Sequence, residues 1–549
     1  MAFDASVVRC LTKELNQKLL GARIDKIHQP QKDELYIVLR SMSGNYRLLI
    51  SVNPSCPRIN LTEQKYENPP QPPMFCMLLR KHLSSGKITE IEQIDFERII
   101  IFHIESYDEL SDLTTKKLIV EIMGKHSNII LVNKDGRIID SVKRIDISTS
   151  SVRQVLPSLT YKLPPNDRKN PLECIGNALY DLDKREPEKA LLQEYSGISP
   201  QLASEILRTG FDTVMTKISE NNFSPCVIYR EGETTPLDFS AISLSQYGRD
   251  CEIHEKESIS EAIEEFYNKK AHAALLNRLS SELIRLISNN IDRCEKKLGI
   301  FERQIQDASK REKYRIYGEL LTANLYRINY GDKEITVDNY YGEEGEKVTI
   351  PLEETLSPAK NAQKYYTRYN KAKTSEEQAL IQKEKTEKEL EYLESVADEI
   401  LRAESPLEIA EIKEELRDTG YIARDTNARK KKETVSKPLE FDIMGYKVFV
   451  GRNNRQNDYL TLKTARSVDI WLHTKNIPGS HVIIQKKEGE EIPDEVILEA
   501  AILAAKNSKA KNSSKVPVDY TTVKNVKKPS GAKPGMVIYD HYNTIYVNI

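Results

Sequence analysis

The sequence predicts a multidomain α+β protein: an N-terminal α+β domain, a helix-hairpin-helix, a long antiparallel coiled coil with a small tip insert, and a C-terminal α+β domain. Three observations predict it. The chain has 549 residues, beyond the size at which one hydrophobic core keeps growing. Charged residues make up 30% of it against 39% hydrophobic, a polar balance that long solvated helices explain. The hydrophobic period also changes along the chain, from strand-like runs to a three-and-four spacing and back.

Residues 4–20 read as an amphipathic helix, with Asp4 as cap, Val8, Leu11, Leu15 and Leu19 on one stripe, and Gly21 at the end. Strand-like runs follow at 34–39 and 46–52, joined by a turn at Ser43-Gly44-Asn45. A proline-rich turn (Pro69, Pro70, Pro72, Pro73) precedes a short helix at 74–83, which Gly86 ends. Further strands are expected at 88–94, 98–105, 117–123, 128–133 and 137–142. Residues 1–168 therefore form an α+β domain with a mostly antiparallel sheet.

Within a helix-hairpin-helix region over 169–250, residues 170–220 switch to helix, and 188–203 read as helix, turn at Gly197, helix. Such a helix-hairpin-helix either aims backbone N–H groups at a phosphate or is an ordinary helical pair. From 255 to 312, Leu276, Leu279, Leu283, Ile287, Ile291, Cys294 and Leu298 step by three or four with charges between them, a coiled-coil seam. A second charged arm covers 360–402, its seam weaker, and two arms in one chain are most simply an antiparallel hairpin within 251–423. An arm of about 50 residues is about 75 Å long. The insert at 313–358 has a helix with Leu320, Leu321 and Leu325, then short strands. Residues 424–438 have the composition of a linker. The last domain, 439–549, shows strands at 441–450, 480–484, 516–524 and 536–548 and a helix at 494–506.

The seven cysteines are scattered without metal or redox spacing, which suits a reducing compartment. The N-terminal segment lacks a signal peptide's apolar core, because Lys13, Glu14 and Lys18 interrupt it. No apolar run approaches the roughly 20 residues that a membrane helix needs. The cytosol is the expected location. Nucleotide-binding loops, a G-x-S-x-G elbow and an H-E-x-x-H motif are all missing. The carboxylates Asp95, Glu97, Glu105 and Glu121 on neighbouring strands read as a solvated face. The expectation is a protein that is not an enzyme and uses no metal or cofactor.

The positive signals concern nucleic acid. The net charge of -2 argues against uniform coating of nucleic acid but leaves room for basic patches. Arg80 and Lys81, with His82, end a short helix, where they suit a phosphate or equally the helix dipole. Glu97-Arg98 opens the aliphatic run Ile99–Ile101 and offers an acceptor and two donors to a base edge, or forms a surface ion pair. Lys506, Lys509, Lys511, Lys515, Lys524, Lys527, Lys528 and Lys533 crowd one stretch of the last domain, as in a phosphate-neutralising patch or a solvated loop. Trp471, His473 and His481 either stack on bases or belong to the core. The turn Pro478-Gly479-Ser480 offers backbone amides to a phosphate.

Together these segments resemble the NFACT family. Tyr66–Pro69 with Pro72–His82 and Glu121–Asn128 look like its N-terminal domain, Tyr317–Tyr326 and Asn361–Tyr366 like its middle region, and Asp469–His473 with Pro478–His481 like its C-terminal RNA-binding domain. The resemblance covers essentially the whole chain. It implies ribosome-associated quality control: binding to a large (50S) ribosomal subunit that carries stalled peptidyl-tRNA, recruitment of alanyl-tRNA, and template-free C-terminal alanine tailing that marks the nascent chain for degradation. It implies a cytoplasmic, ribosome-associated protein with RNA partners and no membrane. An Asp-Arg pair required in the family for tRNA binding maps onto Glu97 and Arg98; Glu97 departs from Asp by one methylene. The family's Glu-Ile-Met segment maps onto Glu121, Ile122 and Met123. Arg80, Lys81, His473, His481, Lys524, Lys527 and Lys528 are further candidate RNA contacts. Part of the family carries an older fibronectin-binding label, so a surface adhesin that binds fibronectin is the alternative. The N-terminal domain resembles formamidopyrimidine-DNA glycosylases in fold. Their N-terminal proline nucleophile has no counterpart in Met1-Ala2-Phe3, so that activity is not implied.

Overall fold

A computed structural model describes residues 3–107, 112–177, 186–248, 250–343, 346–423 and 436–549. Two compact units are formed, by residues 1–274 and 275–549.

The first unit opens with α1 (Ala5–Leu19), whose N-cap Asp4 accepts from the amides of Ser6 and Val7. Nine strands then build one sheet: β1 (Arg23–Gln31), β2 (Glu34–Ser41), β3 (Gly44–Ser51), β4 (Arg58–Leu61), β5 (Lys87–Gln93), β6 (Ile99–Tyr107), β7 (Leu113–Glu121), β8 (Asn128–Val132) and β9 (Ile138–Ser141). Their order is β4-β3-β2-β1-β5-β6-β7-β8-β9, and every pairing is antiparallel. The expected strands are present. The charged β1 and the four-residue β4 were not anticipated, because neither shows a clean alternation. The β2–β3 turn closes one step earlier than expected, with Ser41 opposite Gly44. Helix α2 (Met74–Leu83) lies against β1.

The run Ile99–Phe102 is apolar on both faces because both faces are covered. Ile100, Phe102 and Ile104 join the core beneath α1 and α2, while Ile99 and Ile101 join a second cluster with Ile119, Ile130 and Val155.

The region 169–250 is helical as expected over α3 (Pro187–Glu194), α4 (Pro200–Thr209) and α5 (Phe211–Ser219). Beyond the helices, where no element was expected, β10 (Cys226–Arg230), β11 (Asp238–Ser240) and β12 (Cys251–Glu255) form a small antiparallel sheet. Its strands are too short for periodicity to reveal.

Helix α6 (Ile259–Ala308) is one 50-residue helix. Its first turns belong to the first unit, where Ile259, Ile263 and Phe266 enter the core. In the second unit α6 pairs with α8 (Pro358–Arg402). Leu283, Ile287 and Cys294 meet Tyr392, Leu393, Val396 and Ile400. The pairing is antiparallel: Glu302 meets Lys383 at 3.2 Å, and Arg311, further along, meets Glu376. The insert consists of α7 (Arg311–Ala323) and the hairpin of β13 (Glu334–Asp338) and β14 (Lys347–Pro351). An unanticipated helix, α9 (Pro406–Asp418), adds Ile409, Ile412 and Leu416 to the base of the hairpin.

Of the expected linker, 424–435 lies outside the described residues. The last domain has β15 (Leu439–Ile443), β16 (Tyr446–Val450), α10 (Asn454–Tyr459), β17 (Ile470–Thr474), β18 (Val482–Ile484), α11 (Asp494–Lys506), β19 (Val516–Thr522), β20 (Val526–Lys527), β21 (Ile538–Tyr539) and β22 (Asn543–Val547). The single strand expected over 441–450 is a hairpin, because Met444 (φ 51°) and Gly445 (φ 80°) turn the chain back. The strand expected over 536–548 is likewise two, β21 and β22. Six strands form an antiparallel sheet in the order β15-β16-β18-β17-β19-β22. One face packs on α11 through Ala500, Ala501, Ala504 and Ala505, whose small side chains let helix and sheet approach closely.

Candidate nucleic-acid interface

A cavity of about 480 Å³ opens in the first unit where the β5–β6 turn meets the helix-hairpin-helix. The turn is tight: Asp95 is left-handed (φ 45°) and Glu97 N–H donates to the Ile94 carbonyl at 2.9 Å. Phe96, fully buried, anchors it. Glu97 and Arg98 are thereby placed at the mouth of β6, and both line the cavity with Met123. Ile122 N–H donates to the Arg98 carbonyl at 2.9 Å, which sets these two segments side by side. Burial pushes the Glu97 carboxyl above its ordinary range, opposed by Arg98, Arg168 and the Asn166 amide. Burial also weakens the Arg98 guanidinium's hold on its proton, opposed by Glu97 and Asp4. A guanidinium stays charged under such a shift, so the cavity presents a fixed cation beside a tunable acceptor.

Residues 153–170 form a strap whose first part is tied to the sheet at residues 136–145 and whose second part, from Leu163, lines the cavity. Leu163, Pro164, Pro165, Asn166 and Arg168 line the cavity from that side, and Asn166 Nδ2 donates to Glu97 Oε1. These residues were not among those singled out from the sequence. An aperiodic segment gives no pattern to read, and only Pro164-Pro165 signals a stiff, extended path.

The predicted residues divide. Glu97, Arg98 and Met123 come together in the cavity. Glu121 and Ile122 are buried, at 1% and 0% exposure. Glu121 takes two bonds from Arg153 (2.6 and 3.0 Å) and one from the Tyr161 hydroxyl (2.8 Å), so its carboxylate faces the strap's root rather than the cavity. Arg80 donates to the Ile27 carbonyl at 2.8 Å; Lys81 is exposed at the end of α2. Neither Arg80 nor Lys81 lines the cavity.

In the last domain Trp471 is fully buried. Its ring stacks on His473 at 5.7 Å and meets His481 at 5.2 Å and Tyr539 at 4.8 Å. Burial lowers His473 to about 4 and His481 to about 3, so both rings are neutral at neutral pH. His481 is 2% exposed, and its Nδ1 pairs with the Thr461 hydroxyl at 2.8 Å. Of the two readings, stacking on bases or core, Trp471 and His481 take the core, and His473 is half-buried against them. The Ser480 amide donates to the Asn507 carbonyl at 3.0 Å, so that turn does not offer it to a phosphate. The lysines divide too. Lys506, Lys509, Lys511, Lys515, Lys524 and Lys527 are exposed. Lys528 pairs with Asp458, and Lys533 lies over the rings of Tyr392 and Tyr421 at 4.7 and 4.2 Å. Among the described residues no group of three or more metal-ligating side chains comes together, and no helix is long and apolar enough to cross a membrane.

Residues 4–435 match the NFACT N-terminal and middle domains, and residues 440–540 match the NFACT protein RNA-binding domain. The chain belongs to the NFACT family. Within NFACT proteins it is similar to the Rqc2 homolog RqcH of Bacillus subtilis, 42% identical over 570 residues, covering 100% of this chain and 98% of that one. It is also similar to the Rqc2 homolog RqcH of Streptococcus pneumoniae, 36% identical with the same coverage. Ribosome quality control complex subunit 2 of Saccharomyces cerevisiae is 33% identical over 91 residues, 17% of this chain and 9% of that one. Among solved structures, the N-terminal part of the fibronectin/fibrinogen-binding protein from Streptococcus suis is 32% identical with a TM-score of 0.42, covering 48% of this chain and 99% of that one. This NFACT chain is thus a member of the RqcH group of ribosome quality control proteins and carries the family's RNA-binding domain at its C-terminal end. The cavity at Glu97 and Arg98 lies in the NFACT N-terminal part, and the exposed lysines lie in the NFACT RNA-binding part.

Proposed function

We propose that this protein binds 50S subunits still carrying stalled peptidyl-tRNA, recruits alanyl-tRNA, and directs template-free C-terminal alanine tailing that marks the nascent chain for degradation. The observation that carries the reading is the cavity that sets Arg98 beside Glu97 in a chain of the RqcH group. A fixed cation next to an acceptor suits a phosphate and the edge of an unstacked base, the pair of features by which single-stranded RNA segments are read. The exposed lysines of the last domain supply sequence-independent attraction to RNA. On this reading the ribosome forms the peptide bond. The protein holds RNA in place, is not itself an enzyme, and acts in the cytoplasm on the ribosome.

Affinity purification of the full chain and of Arg98→Ala tests it. The unaltered protein is expected to bring down 50S particles and alanine tRNA, and stalled chains are expected to carry alanine tails. Arg98→Ala is expected to lose the tRNA and the tails. Equal tRNA recovery and equal tailing would refute the assignment of this cavity. Recovery mainly outside the cell, without 50S particles, would favour the fibronectin-binding alternative.

A further inference from the structure

The strap beside the cavity is anchored at both ends and touches Glu97 through Asn166 between them. Its root is fixed by Glu121, which receives Arg153 and Tyr161, with the Arg153 guanidinium 5.1 Å from the centre of the Tyr161 ring. Tyr161 N–H also donates to the Gly136 carbonyl at 2.8 Å. Its far end is fixed to the helix-hairpin-helix: Lys169 N–H donates to the Glu194 carbonyl and Ser196 N–H to the Lys169 carbonyl, each at 2.9 Å. Between these anchors Pro164 and Pro165 restrict the backbone, so the segment keeps its path without packing. Asn166 and Arg168 are exposed there, and both line the cavity opposite Arg98.

Arg168 and Arg98 bring two guanidiniums to one cavity, both within reach of the Glu97 carboxylate. Two cations against one carboxylate leave the cavity positive, and guanidinium donors match phosphate oxygens in pairs. The Asn166 amide and the Arg98 main-chain N–H meanwhile both donate to the Glu97 carboxylate and fix its orientation.

Resting on the reading that the cavity receives tRNA, we propose that Arg168 and Asn166 form a second half of the RNA site. Arg168 takes a phosphate of the bound strand, and Asn166 orients Glu97 toward a base edge. Glu121 is the positioning residue that keeps the strap in register with Arg98. Its main chain stands beside Ile99 in the β6–β7 ladder while its side chain holds the strap's root, so it couples the two halves without touching RNA.

The test uses the full-length protein and an alanine tRNA transcript, with affinity measured across a salt series. Arg168→Ala is expected to weaken binding several-fold and to lower the slope of log affinity against log salt by about 1. Arg168→Lys, which keeps the charge, is expected to retain the slope. Asn166→Ala is expected to weaken binding and leave the slope alone. In a Glu121→Ala background, Arg168→Ala is expected to add nothing, because the strap has already lost its register. If Glu121→Ala does not fold, Tyr161→Phe, which removes a single hydroxyl, carries the same comparison. If Arg98→Ala weakens binding while Arg168→Ala changes neither affinity nor slope, the strap is no part of the site and the inference fails, though the reading of the cavity survives. If Arg98→Ala is also without effect, that reading fails first. Additive losses in the double variant would overturn the role given to Glu121. Titration with inorganic phosphate is the last arm: Arg168-dependent phosphate binding together with an unchanged tRNA slope would mark a free-anion site and overturn the assignment to RNA.

Discussion

Ser199 donates its hydroxyl to the Asp4 carboxylate at 2.6 Å. Asp4 is the N-cap of α1 and Ser199 the N-cap of α4, so one bond links the start of the N-terminal domain to the second helix of the helix-hairpin-helix. Gly197 completes the junction. Its backbone is left-handed (φ 69°), and a Cβ there would lie 2.0 Å from the Phe96 carbonyl oxygen and 2.4 Å from the Ala5 Cβ. Phe96 precedes Glu97, so the same junction sets one wall of the cavity.

Substitution here is expected to cost both stability and binding. Asp4→Ala removes a cap, worth about 0.5–2 kcal/mol, and strands the buried Ser199 hydroxyl. Gly197→Ala is expected to cost more, since neither the backbone angle nor the space admits a Cβ. Calorimetry of the full chain with parallel tRNA binding checks this. Equal melting of Gly197→Ala and the unaltered protein would contradict it.

Two buried carboxylates at the base of the helical hairpin predict a loss of stability toward alkaline pH. Glu399 and Glu415 are 2% and 0% exposed, and among the described residues each has one oxygen without a hydrogen-bond partner. Burial raises both, Glu415 to about 7 and Glu399 well above its ordinary range. Asp398 and Asp458 add to the repulsion, Arg402 and Arg455 oppose it, and Tyr392 and Asn454 donate to Glu415. Because the folded values are raised, the folded state holds protons that the unfolded chain has released. The contribution is full below about 4.5, the ordinary carboxyl value, and is lost as pH rises through the folded values. Glu399→Gln, neutral at every pH, is expected to flatten this decline between pH ~5 and ~8. Melting temperatures of the two proteins across that range decide it.

On the acid side His473 and His481 weaken the last domain. Their folded values are lowered to about 4 and about 3, so the unfolded chain takes protons that the fold refuses. Their stabilising effect is present above about 6.5 and is lost as pH falls through that value toward the folded ones. Trp471, the sole tryptophan, reports directly on this domain. Its fluorescence is expected to show an acid transition that His481→Gln moves to lower pH.

Trp471 itself is expected to matter for folding rather than for RNA. Trp471→Ala should cost about 3–5 kcal/mol, as for other large buried side chains, whereas Trp471→Phe keeps part of the core and is expected to leave RNA affinity unchanged. Lys524→Ala with Lys527→Ala is expected to do the reverse, leaving the melting temperature intact and lowering the salt slope by up to about 2. Lys528→Ala should change the slope less, because Asp458 already partners it. A tryptophan that contributes to affinity after folding is controlled for would return it to the interface.

Much of this architecture was written in periodicity. The seam from Leu276 to Cys294 reads as a coiled coil because each position lands on one helix face, and the segment from Ile99 reads as a strand because Ile99, Ile100 and Ile101 are branched and apolar. Short elements were not legible: β11 has three residues and β4 four, too few to set a period. The hairpin at Met444-Gly445 read as one strand because strand-like residues, Phe441, Ile443, Tyr446, Val448 and Val450, continue on both sides of a two-residue turn.

The site divides in the same way. The sequence determined on its own that Glu97 and Arg98 stand at the mouth of a strand, that the last domain is rich in lysine, and, through its long motifs, that the chain resembles the NFACT family. Only the tertiary structure decided which of those groups face outward. Glu121, mapped with the family's Glu-Ile-Met segment, is buried and receives Arg153 and Tyr161. Trp471 and His481 looked equally like stacking platforms and core, and are core. Asn166 and Arg168 gave no signal at all. Local pattern reports which way a side chain points along its own element, whereas the partner that occupies or exposes it comes from chain tens of residues away, as Arg153 reaches Glu121 and Ser199 reaches Asp4.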